Sequence, residues 1–453
     1  MAISVIASLG AYSVNGNGDT VPSLGFIITS SSPISVNGDA ELASVATSGN
    51  GVAGDPYIIE NLYISADGDS SAISIRNTAA HFVIRCCLLR GASEVGIYLD
   101  HSSNGTLEMN NCTDSRCGIF LNEANNNIVR NNLCSRNDRY GIETYSSNNN
   151  TLVNNTCEEN GEIGIYIVIS NRDTKVANNT CNENALCGIY LSQTNRRINV
   201  SSNNCSGNGY YGICLMSSSW NTIGFNTITG NLKYGIAVTW LSKFNLIYGN
   251  TIMNNNGATG VYAPTHVQAN DTETNYWNSS SFGNYWGDWT APDVNGDGIV
   301  DSPYDVEGGA NEDFYPLTEA PSTKLIITIS SPADGDAIAN GTVTIVWHNG
   351  NPLSSVSYFE ISVDDGAPIQ IPAGTTSHGL TELITGPHTI VVRAVGYDGG
   401  TATDSVTFTV DASASENAGS PSNGGMDVVI ISSVAIVLLV GAVGALYLHR
   451  RKN

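Results

Sequence analysis

The chain has 453 residues and carries 18 Lys and Arg against 41 Asp and Glu, a net charge of −23. That balance argues against nucleic acid as a partner and for cations. The length leads us to expect two or three domains. The ten cysteines all fall between Cys86 and Cys214, at wide regular steps that match neither a disulfide framework nor a CxxC metal knuckle.

Residues 1–13 of the leading segment 1–23 are apolar, with small residues near a plausible cleavage point but no basic start. They read either as a secretion signal lacking its beginning plus a leader, or as an ordinary N-terminal strand. The apolar C-terminal segment 428–448, an anchor that needs export, favours the first. Residues 33–66 read as a cap. Asp39 is placed to N-cap a short helix with Leu42 and Val45 on one face, covering the open end of the repeat region after it.

The repeat itself is regular. The Gly that opens a Gly-Ile-aromatic-Leu stretch, as in GIYL at Gly96 and Gly188, recurs at Gly96, Gly118, Gly141, Gly164, Gly188, Gly212 and Gly235 and, with Val for Ile, at Gly260, in steps of 22 to 25 residues. Such a period signals a solenoid. The repeat lacks the leucine-rich frame and any run long enough for a helix. Its short apolar stretches are broken by Asn, Gly and Ser, so each repeat reads as one coil of about three short strands in an all-β, right-handed parallel β-helix. Alternation points Ile142, Ile165 and Ile167 inward, and Glu143 and Tyr166 outward. Cys112, Cys134, Cys157, Cys181 and Cys205 share one coil position, occupied later by Ile228 and Ile252, which makes it interior. Asn110, Asn132, Asn155, Asn179, Asn203, Asn226 and Asn250 form a second column. It is suited to coil-to-coil amide hydrogen bonds and to left-handed bends.

The coils end near residue 256. Trp277, Tyr285, Trp286 and Trp289 then supply aromatic area to plug the last coil. In DVNGDGIVD, Asp293, Asn295 and Asp297 stand at positions 1, 3 and 5 of a calcium loop, with Gly298 at the sharp turn. Ile299 offers its carbonyl at position 7, and Asp301 stands at position 9. Tyr304 replaces the usual twelfth-position Glu, with Asp305 or Asp313 as substitutes. Hard oxygen donors suit a structural Ca²⁺; the alternative is a metal-free Asx-turn loop.

Residues 24–318 thus form the β-helix with its two caps. Residues 324–411 carry alternating strands such as 343–347, 359–363, 389–395 and 405–410 with Asp-Gly turns, the pattern of an immunoglobulin-like or fibronectin-type sandwich around Trp347. Its default role is a spacer. Residues 412–427 read as a flexible linker and the uncharged segment 428–448 as a transmembrane helix. The basic tail 449–453 stays in the cytoplasm by the positive-inside rule, which leaves everything before the span extracellular.

NYWGDW, DVNGDGIVDSPYDVEGG and DFYPL at 313–317, with GDPYIIE at the start and the repeated GIYL…NNTC, resemble the NosD-like right-handed β-helix family. With its C-terminal anchor, the chain is similar to surface β-helix proteins of archaea. The resemblance spans roughly residues 30–318. It implies the fold and leaves two activities open: accessory work in copper-site assembly, as for NosD, or action on polysaccharides, as for related carbohydrate-binding and sugar-hydrolase coils.

Three functions are open to test. The first is glycan or cell-surface recognition by the outward aromatics Tyr98, Phe120, Tyr166 and Tyr190, which pack either on sugar rings or only on one another. The second is a polysaccharide hydrolase or lyase using Asp100, Glu123 and Glu143 from consecutive Gly-Ile strands, although no Arg or Lys shares their coil positions. The third is copper handling, for which the seven scattered His, the separated Met residues and the interior Cys column are a poor donor set. The sequons at Asn270, Asn278 and Asn340 lie outside the Asn column and are the candidate glycosylation sites.

Overall fold

The computed structural model describes residues 29–411 apart from residue 281 and the short stretches 322–324, 326, 340, 350–355, 373–374, 382 and 397–400. Residues 1–23, 412–427, 428–448 and 449–453, and Asn340, fall outside the described residues. No helix among the described residues is long and apolar enough to cross a membrane.

The repeat folds as three parallel sheets. Sheet A has ten strands, including Val95–Asp100, Cys117–Asn122, Tyr140–Tyr145, Ile163–Val168, Cys187–Ser192 and Tyr211–Met216. Sheet B has nine, including Thr151–Val153, Lys175–Ala177, Asn199–Ser201, Thr222–Gly224 and Leu246–Tyr248. Sheet C runs through Leu88–Arg90 and Asn111–Thr113. Single bridges at Leu133, Thr156, Thr180 and Asn204 carry it to Thr227–Thr229, Thr251–Met253 and Tyr285–Trp286.

The recurring glycine has a steric cause. A Cβ at Gly96, Gly118, Gly141 or Gly164 would lie 2.5–2.7 Å from the carbonyl oxygen of the glycine one coil further on. Real Cβ atoms do not tolerate such contacts, so the coils close only over glycine. Gly260 does not belong to this series. The strand after Ile236–Thr239 is Ala269–Asp271, which puts Gln268 in the glycine position, while Gly260 faces open space.

The Cys column is interior as read: Cys112, Cys134, Cys157, Cys181 and Cys205 are fully buried, flanked by Ile64 and Leu89 before and by Ile228, Ile252 and Trp286 after. The Asn column is a continuous ladder. Each Asn donates its own N–H and Nδ2–H to the Oδ1 of the next coil's Asn, for example Asn155 to Asn179 at 2.9 and 3.0 Å. Its second Nδ2–H goes to a strand carbonyl, Val129 O at 2.9 Å for Asn155. The left-handed bend belongs to the preceding residue (Met109, Asn131, Asn154, Asn178, Ser202, Phe225), so the ladder Asn is there for its hydrogen bonds and not for its backbone freedom.

This polarity demands an acceptor at the end, and each ladder finds one. The first runs through Asn250 and Asn284 to Asp313. A second, Asn137–Asn160–Asn184–Asn208–Asn231–Asn255, passes through Gln268 to Asp288. A third, Asn221–Asn245–Asn275, ends on Asp271. Asp313, Asp288 and Asp271 are buried, and burial raises the pKa of each. Asp313 is therefore a ladder terminus and not a stand-in calcium ligand.

The N-terminal cap helix spans Asp39–Val45 with Leu42 fully buried. Its N-cap is Gly38, whose φ of 88° suits only glycine, and not Asp39. Asp39 instead accepts from Thr78 Oγ1, and Glu41 Oε2 accepts from Asn37 N at 2.8 Å. At the other end Trp286 stacks on Tyr304 at 3.9 Å between ring centres, with Trp277 at 5.8 Å. Tyr304, fully buried, takes the core place that sequence reading gave to half-buried Tyr285.

Residues 327–410 form a separate two-sheet sandwich. Ile327–Ser331, Val343–Asn349 and Ser377–Leu380 make one sheet; Ala337–Ile338, Thr401–Val410, Gly386–Gly396, Val356–Val363 and Ile369–Pro372 make the other. Trp347, Phe359 and Phe408 meet in its core, as the alternation predicts.

Candidate functional site

Sheet A presents two outward columns that pack on each other. In the first, Tyr98, Phe120, Glu143, Tyr166, Tyr190 and Cys214 stand in register. In the second stand Val95, Cys117, Tyr140, Ile163, Cys187 and Tyr211. Together they form an apolar cluster separate from the interior core. The rings lie close: Tyr98 and Phe120 are 5.4 Å apart, Tyr140 and Tyr166 5.1 Å, and Tyr166 and Tyr190 5.4 Å and stacked. The rings thus pack on one another, and the Tyr190 hydroxyl donates to Met216 Sδ at 3.3 Å. Of the two packing arrangements open from the sequence, the mutual one is observed.

Glu143 interrupts this column. Its side chain is mostly buried, and burial pushes its carboxyl up to about 7, against the opposing pull of the Arg116 and Arg139 guanidiniums. Cations therefore do reach this face, although none stands in the register of Glu143 on the neighbouring coils. They arrive from the residues just before the strands, and each is already paired: Arg116 with Glu94 at 2.6 Å and Arg139 with Glu162 at 2.6 Å. Arg139 also lies 4.7 Å from the Tyr140 ring centre. A carboxyl that titrates near neutrality can give or take a proton at physiological pH.

The three candidate acids do not converge on one column. Asp100 lies in the register of Asn122 and Tyr145, and Glu123 sits in the turn after its strand with a φ of 47°. The residue sequence reading passed over is His101, whose Nδ1 is 2.7 Å from Asp100 and whose Nε2 is 3.1 Å from Glu123. The hydrogen bond to Asp100 raises the His101 pKa. Asn122 Nδ2 donates to Asp100 at 2.9 Å and more weakly to the Tyr98 hydroxyl at 3.3 Å. The Asp-His adjacency was visible in the sequence; the coil-to-coil reach to Glu123 was not.

Two family descriptions match this region by sequence: "Right handed beta helix region" over residues 71–223 and "Periplasmic copper-binding protein (NosD)" over residues 169–291. This is a NosD-like right-handed β-helix repeat protein. No curated protein matches the chain. Solved structures resemble the NosD-like coils distantly. The A-module of a mannuronan C-5 epimerase from Azotobacter vinelandii is 15% identical, with 57% of this chain and 85% of that one covered and a TM-score of 0.38. A periplasmic alginate epimerase is 14% identical over 57% and 78%, with a TM-score of 0.37. Tailspike protein 2 of the Escherichia coli O157:H7 bacteriophage CAB120 is 9% identical over 85% and 65%, with a TM-score of 0.38.

Beyond the NosD-like coils lies the Asp-Asn-Asp loop. Asp293 accepts from Gly296 N at 2.7 Å and Gly298 N at 3.1 Å; Asn295 Oδ1 accepts from Asp297 N at 3.0 Å. Asp297 accepts from Ile299 N at 2.9 Å and Asp301 from Val294 N at 2.8 Å. The loop is exposed and rich in Asx turns, with Gly298 at a φ of 83° where the calcium-loop pattern wants its turn. Among the described residues no three His, Cys, Asp or Glu side chains group as a metal site. Of the sequon asparagines, Asn270 Nδ2 donates to Glu307 O at 3.2 Å and Asn278 Nδ2 to Ser279 O at 2.7 Å.

Glu143 supplies a test by pH. Its folded pKa of about 7 stands above the ordinary glutamate value of 4.5. Its contribution to stability is therefore complete below about pH 4.5 and lost as pH rises through 7. Glu143→Gln is expected to leave stability unchanged at pH 4.5 and to raise it by about 1–3 kcal/mol at pH 8. Urea unfolding at both pH values measures this; equal effects at both would contradict the assignment.

Proposed function

We propose that this protein is a surface-anchored extracellular module that recognises polysaccharide on the outer face of sheet A. The observation that supports it most is the half-buried row of Tyr98, Phe120, Tyr166 and Tyr190 with Glu143 set into it. The row offers partly exposed aromatic rings and the Glu143 carboxyl on one coil-by-coil surface. The interior columns, by contrast, are fully used in holding the stack. The apolar segment 428–448 is read as the membrane anchor, the sandwich as an immunoglobulin-like spacer, and Asn270, Asn278 and Asn340 as the modification sites of an exported chain.

A second reading, polysaccharide cleavage, is favoured by the Glu143 carboxyl and its pKa near neutrality. It ranks lower because glycoside hydrolysis uses two carboxyl groups. Glu143 has no second one in its register, and Asp100 is held by His101 and Asn122. Copper handling ranks third. The Cys112–Cys205 thiols are fully buried; the hydrogen bond with Cys134 and then burial raise Cys112, and burial raises Cys134, Cys157 and Cys181, well above the ordinary thiol pKa, which opposes the thiolate a copper site needs.

The test is a glycan array probed with the intact chain, with and without Ca²⁺, followed by product analysis of the bound polysaccharide. Binding without turnover supports recognition. Shortened chains or unsaturated sugar ends, abolished by Glu143→Gln, support cleavage. Tight Cu(I) binding with no glycan bound overturns both. For the Asp293–Asp301 loop we propose a structural Ca²⁺ site. Millimolar Ca²⁺ is then expected to raise the unfolding temperature and Asp293→Ala to remove the effect; an unfolding temperature indifferent to Ca²⁺ and EDTA leaves the loop metal-free.

A further inference from the structure

Sheet B carries a second surface feature, produced by a run of small side chains along one outward column. From coil to coil the register runs Val153, Ala177, Ser201, Gly224 and then abruptly Tyr248. Over Ser201 and Gly224 the small side chains leave a groove of about 350 Å³, with Tyr248 next in the column. Asn199, Ser201 and Thr222 contribute to its floor. A Cβ at Gly224 would come within 3.5 Å of the Tyr248 ring, so the space there depends on the missing side chain.

The walls come from the turns flanking the strands. On one side stand Arg197 and Trp220, each with a left-handed backbone that lifts its side chain off the sheet. Trp220 is 56% exposed and rests against Phe244, 4.7 Å between ring centres, which fixes its plane. On the other side Phe225 meets Tyr248 edge to face at 5.3 Å. The floor holds an orphan: Ser201 is 4% exposed, and its buried Oγ has no hydrogen-bond partner. A buried hydroxyl without a partner costs free energy, and the polar groups the groove offers are those of Asn199 and Thr222.

We infer that this groove is a binding site for a neutral hexopyranose unit of a glycan. A pyranose presents one C–H face and a rim of hydroxyls. The groove presents aromatic walls over a floor of Ser201, Asn199 and Thr222. An anionic sugar suits it less, because Arg197 is held by Asp173 through two contacts of 2.6 Å and the chain as a whole is strongly acidic. The volume is at the small end of ligand sites and fits one sugar ring rather than a long chain segment. The site extends glycan recognition to a second face, separate from sheet A, and stands or falls independently of it.

The test uses the intact chain and three neutral probes, cellohexaose, maltohexaose and mannohexaose, read by tryptophan fluorescence and by saturation-transfer NMR. At least one is expected to bind with a dissociation constant of about 1 mM, the strength of a single-ring site. Gly224→Leu fills the groove without removing an aromatic, and Trp220→Ala removes a wall. Each should weaken that binding at least tenfold with an unchanged unfolding temperature, whereas Leu232→Ala, at an exposed residue outside both faces, should not. Binding lost in Tyr166→Ala and kept in Gly224→Leu places recognition on sheet A and overturns the groove. Binding by no probe at millimolar concentration overturns it as well.

Discussion

Replacing Asn179 by Ala is expected to destabilise the β-helix by about 3–5 kcal/mol, far beyond the loss of one average hydrogen bond. Asn179 Oδ1 accepts both the N–H and an Nδ2–H of Asn155, and its Nδ2 donates to Leu152 O and Asn203 Oδ1. All these residues are buried. The substitution leaves at least two donors and a carbonyl without partners, each costing about 1–3 kcal/mol, and partial relaxation brings the sum into the stated range. Chemical denaturation of wild type and variant measures it. A loss below about 1 kcal/mol would mean that the ladder amides re-pair with water. Asn178→Ala, one residue earlier at the left-handed bend, is expected to cost less, because bend and ladder are separate duties.

The second large effect is at the C-terminal end. Asp313 Oδ2 receives Asn284 N at 2.7 Å, Asn284 Nδ2 at 3.2 Å and Trp286 Nε1 at 2.9 Å, while Oδ1 receives Tyr315 N at 3.1 Å. Four donors converge on a group that can only accept when ionised, which is what a ladder running in one direction requires at its end. Asp313→Ala is expected to cost about 4 kcal/mol or more, through orphaned donors and a void beside Trp286. Asp313→Asn keeps the shape but turns an amide N–H₂ toward one of these donors, so an intermediate loss of about 1–3 kcal/mol is expected. If Asn and Ala are equally harmful, charge rather than acceptor geometry governs the site. If both are harmless, the last coil is not held by its ladder.

The ladders and their ends were unequally visible in the chain. The coil was legible because its interior letters repeat at nearly constant steps. Ile142 and Ile165, the Cys112–Cys205 column and the Asn110–Asn250 ladder each keep one position of the turn. The second ladder, through Asn137, Asn160, Asn184 and Asn208, repeats just as regularly and could have been read the same way. The ladder ends were hidden, because the closing coil abandons the period. Gln268 takes over from the glycine series across an inserted loop, and Asn284 follows Asn250 at a longer step than any before it. Hence Gly260 was counted into a series it does not join, and Asp313, offered with Asp305 as a substitute twelfth ligand, terminates a hydrogen-bond chain.

Outward positions were less legible still. Alternation predicted that Tyr98, Phe120, Glu143, Tyr166 and Tyr190 face out, and they do. It could not predict that the rings cover one another, nor that the neighbouring column of Tyr140 and Ile163 half-buries Glu143, because both depend on contacts between coils. Nor could spacing alone join Asp100 to Glu123 through His101. Interior residues repeat because every coil meets the same constraint; outer residues vary because each is free to do something different, and a period says little about them.

With the interior columns committed to architecture, the proposed polysaccharide recognition rests on the sheet A face. The most direct test is the affinity of the intact chain for the polysaccharide selected on the array, compared between wild type, Tyr166→Ala and Glu143→Gln, with unfolding temperature measured in parallel. The prediction is an affinity at least tenfold weaker for Tyr166→Ala, about 1.4 kcal/mol or more, and a pH-dependent loss for Glu143→Gln, while both variants keep a folded β-helix. Unchanged affinity in both folded variants would contradict it.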